Sequence, residues 1–151
     1  MSRVIVLDAG PLGLLTRSRS VPLANQCAQW LRDLLVAGER VIIPEIADYE
    51  VRRELVRLQA TGPLRRLDTL VAQMEYVALT TGAMRLAAQL WGSIRQQGQP
   101  TADPHALDGD VILAAQALSL LTDAPVLVAT TNVGHLSRLV PADLWVNITP
   151  L

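Results

Sequence analysis

Apolar residues along the chain follow two alternating rhythms. Short β-branched runs are separated by longer stretches in which apolar positions return every three or four residues. "RVIVL" (3–7) is the first run. It ends at Asp8 and the turn-like "DAGP", and predicts a buried strand. Residues 22–37, "PLANQCAQWLRDLLVA", start with Pro22 and set Leu23, Cys27, Trp30, Leu31 and Leu34 at helical spacing before Gly38. "RVII" (40–43) predicts a second strand. Pro44 stands at a first helical position, and the following helix carries Ile46, Ala47, Val51, Leu55 and Leu58 on one face. "TGPLRRLDTLVAQ" reads as a turn and a short helix, and "EYVAL" (75–79) as a third strand.

The second half repeats the alternation. "TTGAMRLAAQLWGSIRQQG" predicts a helix with Met84, Ala87, Ala88, Trp91 and Ile94 inward. A polar loop with two prolines (99–106) precedes an almost wholly apolar helix over 110–121, which predicts deep packing. "APVLVAT" (124–130) is a fourth strand, "NVGHLSRLV" a short helix or turn, and "LWVNI" (144–148) a fifth, edge-like strand. Strands alternating with helices imply βαβ crossovers. The expected architecture is one domain over 1–151, an α/β/α sandwich of three layers around a central, mainly parallel five-stranded sheet.

Composition narrows the function classes. No apolar run reaches the roughly 18 residues of a membrane span. Asp8 interrupts the N-terminal apolar stretch, which argues against a signal peptide. The single cysteine, Cys27, excludes intrachain disulfides and thiolate metal clusters, so a cytoplasmic protein is expected. The formal charge of -1 does not announce a nucleic-acid binder, and all 13 basic residues are arginine. Arg52, Arg53, Arg57, Arg65 and Arg66 cluster in one region, either as a basic rim around an acidic pit or as a solvated helix face.

In an open parallel sheet, ligands bind at the carboxyl ends of the strands, near a switch in strand order. Asp8 directly follows strand one, and Glu50 lies one to two turns into the helix after strand two. Asp108 and Asp110 open the helix that leads to strand four, and Thr130, Thr131 and Asn132 directly follow that strand. Oxygen ligands from four segments suit a hard cation such as Mg²⁺ or Mn²⁺ and metal-assisted phosphodiester chemistry. Each residue also has a structural role open to it. Asp8 fits a turn, Glu50 a helix surface, and Asn132 a cap. Glu54 fits a second acid or a partner of Arg57 or Arg53. Asp108 fits a helix N-cap, and Asp110 the positive end of a helix dipole. Asp103 reads as a turn residue, and His105 and His135 as polar loop positions. Trp30, Trp91 and Trp145 each fit core or interface. Phosphate-cradling glycine motifs and serine-nucleophile signatures are missing.

Four pieces, "VIVLDAGPLG", "IPEIADYEVRREL", "LDGDVILAAQAL" and "VLVATTNVGHLSRL", occur in the order and spacing of a known family. In these pieces, which span nearly the whole chain, the sequence resembles PIN-domain proteins, including the VapC-type ribonuclease toxins. The resemblance implies a PIN-like sandwich whose acids hold one or two Mg²⁺ or Mn²⁺ ions and cleave single-stranded RNA. It matches Asp8 to the first acid, Glu50 to the second, Asp110 to the third and Asn132 to the site after strand four, with Asp108 as an extra acid. It also implies a small antitoxin whose helical tail blocks the acidic pit, and a homodimer. One departure stands out. His135 occupies a position where many members have Asp, and Leu136 stands for an aromatic. If that fourth acid is required, a second metal binds weakly or not at all, and Asp108 is the candidate to compensate. A PIN-fold module that binds RNA or protein with little or no turnover is the competing reading. A phosphohydrolase of small phosphoesters is a third, but Asp8 lacks the second Asp two residues on that a phosphoaspartate enzyme would show.

Overall fold

The computed structural model describes residues 2–98 and 104–151, with side chains of the second stretch from Leu107 onward. Residues 99–103 of the loop expected over 99–106, with Asp103, and the His105 side chain lie outside the described residues. Five strands, β1 (Val4–Leu7), β2 (Arg40–Pro44), β3 (Glu75–Val77), β4 (Val126–Thr130) and β5 (Ala142–Leu144), form one all-parallel sheet in the order β3-β2-β1-β4-β5. Among the described residues, six helices cover it: α1 (Ala9–Thr16), α2 (Pro22–Val36), α3 (Glu45–Arg57), α4 (Thr61–Gln73), α5 (Thr81–Gln96) and α6 (Pro104–Leu118).

β1 lies at the centre with all four residues buried, which is why its sequence reads as an unbroken apolar run. Its side chains divide by the period of two. Ile5 and Leu7 join Val41, Ile43 and Ala129 beneath α1, α2 and α4. Val4 and Val6 join Ile42, Val128 and the α6 residues Leu113, Ala114 and Ala117 on the other face. α6 is also buried on its far side, where Leu107, Val111 and Ala115 meet Ala83, Ala87 and Ile94 of α5. Contact on both sides explains why that helix is apolar around most of its circumference.

Several sequence expectations change here. "DAGPLG" is not a turn. Asp8 caps α1, its carboxylate accepting the Ala9 N–H at 2.7 Å, and Leu12 and Leu15 are buried. α6 begins at Pro104, not at 110, so Asp108 and Asp110 lie inside the helix and neither is its N-cap. On α5, Ala87 and Ile94 face inward and Trp91 is half-buried as expected, but Ala83 takes the place expected for Met84 and Ala88. Small Ala83 and Ala87 let α6 approach closely, while Met84 is 43% exposed and Ala88 is exposed. Leu23 and Leu58 likewise face outward, with Ala24 taking the buried position at the start of α2. The fifth strand occupies 142–144, ahead of the expected 144–148. Trp145 instead enters a 3-10 turn (Trp145–Asn147) and packs edge-on against Trp30, ring centroids 5.5 Å apart. The Trp30 indole N–H donates to the Ile148 carbonyl at 2.9 Å, so both tryptophans are core residues.

Gln116, on apolar α6, is 2% exposed, and both ends of its amide are hydrogen-bonded. Its Oε1 accepts the Ile46 N–H at 3.0 Å, and its Nε2 donates to the Val77 carbonyl at 2.9 Å. The N-terminus of α3 follows Pro44, which has no capping side chain, so a residue 70 positions away satisfies one of its free N–H groups. Gln116→Leu strands a buried donor and a buried acceptor. It is expected to cost about 3 kcal/mol in urea unfolding. A loss under about 1 kcal/mol would mean that water replaces the amide.

Candidate functional site

Chain order sets the position of the site. From β1 the chain builds outward to β2 and β3, then crosses back to lay β4 on the other side of β1. The reversal opens a crevice at the carboxyl ends of β1 and β4. Asp8 follows β1 directly, and Thr130 ends β4. Asp8 Oδ1 takes the Ala9 N–H, and its Oδ2 takes the Thr130 hydroxyl at 2.7 Å. Thr130 is 1% exposed, and its Oγ1 also accepts the Asn132 N–H at 3.2 Å. This buried hydroxyl therefore orients the acid and ties down the loop that carries Asn132. The sequence marked Thr130 only as one more oxygen after a strand.

Glu50 and Asp110 approach Asp8 from two other elements. The Glu50 carboxyl is pushed above the usual carboxylate range, first by burial, then by the charge of Asp8, and further by Asp110, while Arg53 opposes the shift. The Asp110 carboxyl is likewise raised by burial and by Asp8, and eased by His135. Burial and the charge of Asp8 thus raise the cost of ionising both Glu50 and Asp110. His135, read from sequence as a loop residue, sits near enough to Asp110 to act on it.

Asp108 and Asp110 do not share a face, because residues two apart point in different directions around a helix. Asp108 is exposed and lines a flanking cleft with Glu50 and Arg53. Asn132 is exposed at the rim beside Gly134, whose φ of +41° turns the loop there. Two glycines permit the close packing. A Cβ on Gly109 would stand 3.0 Å from Glu50 Oε2. A Cβ on Gly10 would collide with Thr131 Oγ1 and stand 3.0 Å from Thr131 Cβ. Rotating the threonine clears its tip but not its Cβ. Gly10→Ala is therefore expected to cost about 2 kcal/mol in urea unfolding, and Thr131→Ala in the same chain to recover part of it. A neutral Gly10→Ala would mean that α1 and the loop after β4 separate freely.

The arginines divide between structure and site. Arg52 is held by Asp48 and Asp68, Arg57 pairs with Glu54, and Arg66 donates to the Thr16 carbonyl. Glu54 is thus an arginine partner rather than a second acid. Arg53 lies 3.9 Å from Glu50 Oε2. Cys27 is remote and buried, its thiol pushed up to about 12 by burial, and offers no ligand.

Among the described residues, no three ligating side chains stand close enough to enclose an ion. The donors around Asp8 are all oxygen, which fits Mg²⁺ or Mn²⁺. Mg²⁺ keeps several waters and takes only one or two direct carboxylates together with substrate phosphate.

Comparison with solved structures places the architecture. The chain has the fold of VapBC2 from Rickettsia felis, solved bound to a DNA fragment from its promoter. The two are 14% identical, with a TM-score of 0.66 over 94% of this chain and 98% of that one. VapBC-1 from nontypeable Haemophilus influenzae matches at 18% identity and FitAcB from Neisseria gonorrhoeae at 19%. Each has a TM-score of 0.66 and covers 95% of this chain and 99% of its own. No family model matches the sequence, and no curated protein does. The fold is the PIN-like α/β/α sandwich, which the chain shares with these three structures.

Proposed function

We propose that this chain is a metal-dependent endoribonuclease that cleaves single-stranded RNA and acts as the toxin of a toxin–antitoxin pair in the cytoplasm. One observation carries the reading. Glu50 and Asp110, from two separate helices, are brought against Asp8 at the strand-order switch, where burial and the Asp8 charge oppose the ionisation of both. Charges kept together at such a cost mark a site with a cationic ligand.

One or two of Asp8, Asp110 and Glu50 would hold Mg²⁺ or Mn²⁺ directly and the remainder through its waters; the ion when bound supplies charge neutralisation at a phosphate and a more acidic water. Asp8 is oriented for this by the Ala9 N–H and the Thr130 hydroxyl. Asn132 would orient a water, and Asp108, which lines the cleft beside Glu50, would extend the acidic surface. The Arg53 guanidinium, beside Glu50, balances the carboxylates and faces incoming phosphate.

Two surfaces support the partner assignments. An apolar groove of about 670 Å³ runs between α1, α3 and α4, with Leu14, Val51 and Leu55 along it and Glu50 in its lining. It suits the apolar face of an antitoxin helix ending over the acids. A second groove, between α5 and α6, exposes Met84, Trp91 and Ile112 and suits a second copy of this chain. Among the described residues, no helix is long and apolar enough to cross a membrane.

The test is a titration of Mg²⁺ and Mn²⁺ into the purified protein with a mixed single-stranded RNA. Cleavage should appear with metal and vanish on chelation. Metal binding without cleavage would favour an RNA- or protein-binding module, the reading that the histidine at 135 supports. Neither binding nor cleavage would remove the nuclease assignment.

A further inference from the structure

We propose that Tyr49 and Arg53 form a subsite for one unpaired nucleobase and its adjoining phosphate, next to the acidic centre. Cleavage of the strand held there rests on the ribonuclease reading, whereas the binding itself does not depend on it.

The aromatic residues narrow the choice. Trp30 and Trp145 are buried against each other, and the Tyr76 hydroxyl is spent on Asp48 at 2.9 Å. Trp91 lies half-buried under the Arg95 guanidinium, on the α5 side of α6. Tyr49 alone among the described aromatic residues is strongly exposed, at 55%, and it immediately precedes Glu50 on α3. No packing requirement accounts for an aromatic ring held in water on a helix whose outward positions are otherwise mostly charged.

The surroundings define the ligand. A cleft of about 290 Å³ is bounded by Tyr49, Glu50 and Arg53 of α3 and by Asp108, Gly109 and Ile112 of α6. The Arg53 guanidinium lies 5.1 Å from the centroid of the Tyr49 ring and 3.9 Å from Glu50 Oε2. One cation therefore links an aromatic surface to an acid of the central site. With Arg53 against one face of the ring, the exposed remainder is a platform for a planar group, and the arginine is a donor for an anion attached to it. A nucleobase joined to a phosphate has both features, in that order along a strand. Every base has a π-face, so the platform accepts any of the four. A paired base in a duplex keeps its faces stacked on its neighbours, so the subsite selects unpaired RNA.

The experiment measures binding of a fluorescent single-stranded oligoadenylate to the full chain without metal, and cleavage of the same strand with Mn²⁺. Tyr49→Ala should weaken binding and raise KM about tenfold, since base–aromatic stacking is worth roughly 1–3 kcal/mol. Tyr49→Phe and Tyr49→Trp should remain close to the parent, and the Tm of all three should be unchanged because the side chain is exposed. Arg53→Ala should lower the slope of log affinity against log salt by roughly 0.7, the value for one phosphate contact on a single strand. Unchanged binding and KM in Tyr49→Ala would overturn the subsite while leaving the nuclease reading in place. Equal losses in Tyr49→Ala and Tyr49→Phe would overturn stacking in favour of a hydroxyl contact. RNA binding that depends on the Tyr49 ring, in a protein that never cleaves with Mn²⁺, would uphold the subsite and remove the nuclease reading.

Discussion

Asp110→Asn is expected to abolish metal-dependent RNA cleavage and, in the metal-free protein at pH 7, to raise thermal stability. The two effects have one cause. Burial and the Asp8 charge hold the Asp110 carboxyl above its ordinary range. The folded state therefore binds that proton more tightly than the unfolded state does, and ionisation works against folding. The penalty is absent below the unfolded pKa of about 3.9 and grows as pH rises from there through the folded value. An asparagine of the same shape removes it. The Tm should therefore rise in the variant, and the gain should fade on acidification. Glu50→Gln should behave with the same sign, because its carboxyl is raised by burial and by Asp8 as well. Cleavage should fall on the order of a thousandfold, since a Lewis-acid ion supplies several kcal/mol and each 1.36 kcal/mol is tenfold in rate. Added Mg²⁺ should raise the Tm of the parent chain but not that of the variant. A variant that cleaves normally and loses stability at neutral pH would return Asp110 to a purely structural role.

Arg3→Ala should produce the largest loss of stability, although Arg3 belongs to no candidate site. Glu39, in the turn before β2, is only 6% exposed. Its carboxylate takes the Arg3 guanidinium through both oxygens and also accepts the Leu151 N–H at 3.3 Å. Arg3 in turn donates to the Thr149 carbonyl. One ion pair thus fastens the start of β1, the entry to β2 and the end of the chain together. Removing the arginine leaves a buried carboxylate with no counter-charge, at a cost of about 3–5 kcal/mol. The expected reading is a Tm lower by roughly 10 °C. Replacing both partners with apolar residues, as in Arg3→Met with Glu39→Leu, should recover most of it, because the cost arises from the unpaired charge rather than from the lost bridge. A drop of only about 1–2 °C in Arg3→Ala would show that water reaches Glu39.

The layer architecture and the segments that supply the acids are legible in the residue pattern. β1 is read from "VIVL" because a central parallel strand is buried on both faces and must be apolar throughout. Asp8, Glu50 and Asp110 stand out as candidates because each lies just beyond a strand or on the helix that follows or precedes one, and parallel sheets open their crevices there. α1 is not legible. Its "AGPLGLLT" holds two glycines and a proline and has little polar–apolar periodicity, so local propensity argues against a helix. The helix forms because Asp8 caps it and because Leu12 and Leu15 find a core to enter. The true start of α6 is hidden for a related reason, since Pro104 opens the helix within what reads as a polar, proline-containing loop.

Which side chains meet is settled only when the elements dock. Adjacency along the chain does not say that Asp110 faces Asp8 while Asp108 lines the flank, because that depends on the rotation of α6 about its axis. The packing of Ala114 and Ala117 on the sheet and of Val111 and Ala115 on α5 sets that rotation. Nor does it show that Gln116 satisfies the backbone at Ile46, that Thr130 holds Asp8, or that Arg3 neutralises Glu39. Periodicity reports the faces of one element at a time. Buried polar partners separated by tens of residues are matched in the folded chain, because only there does leaving them unpaired carry a cost.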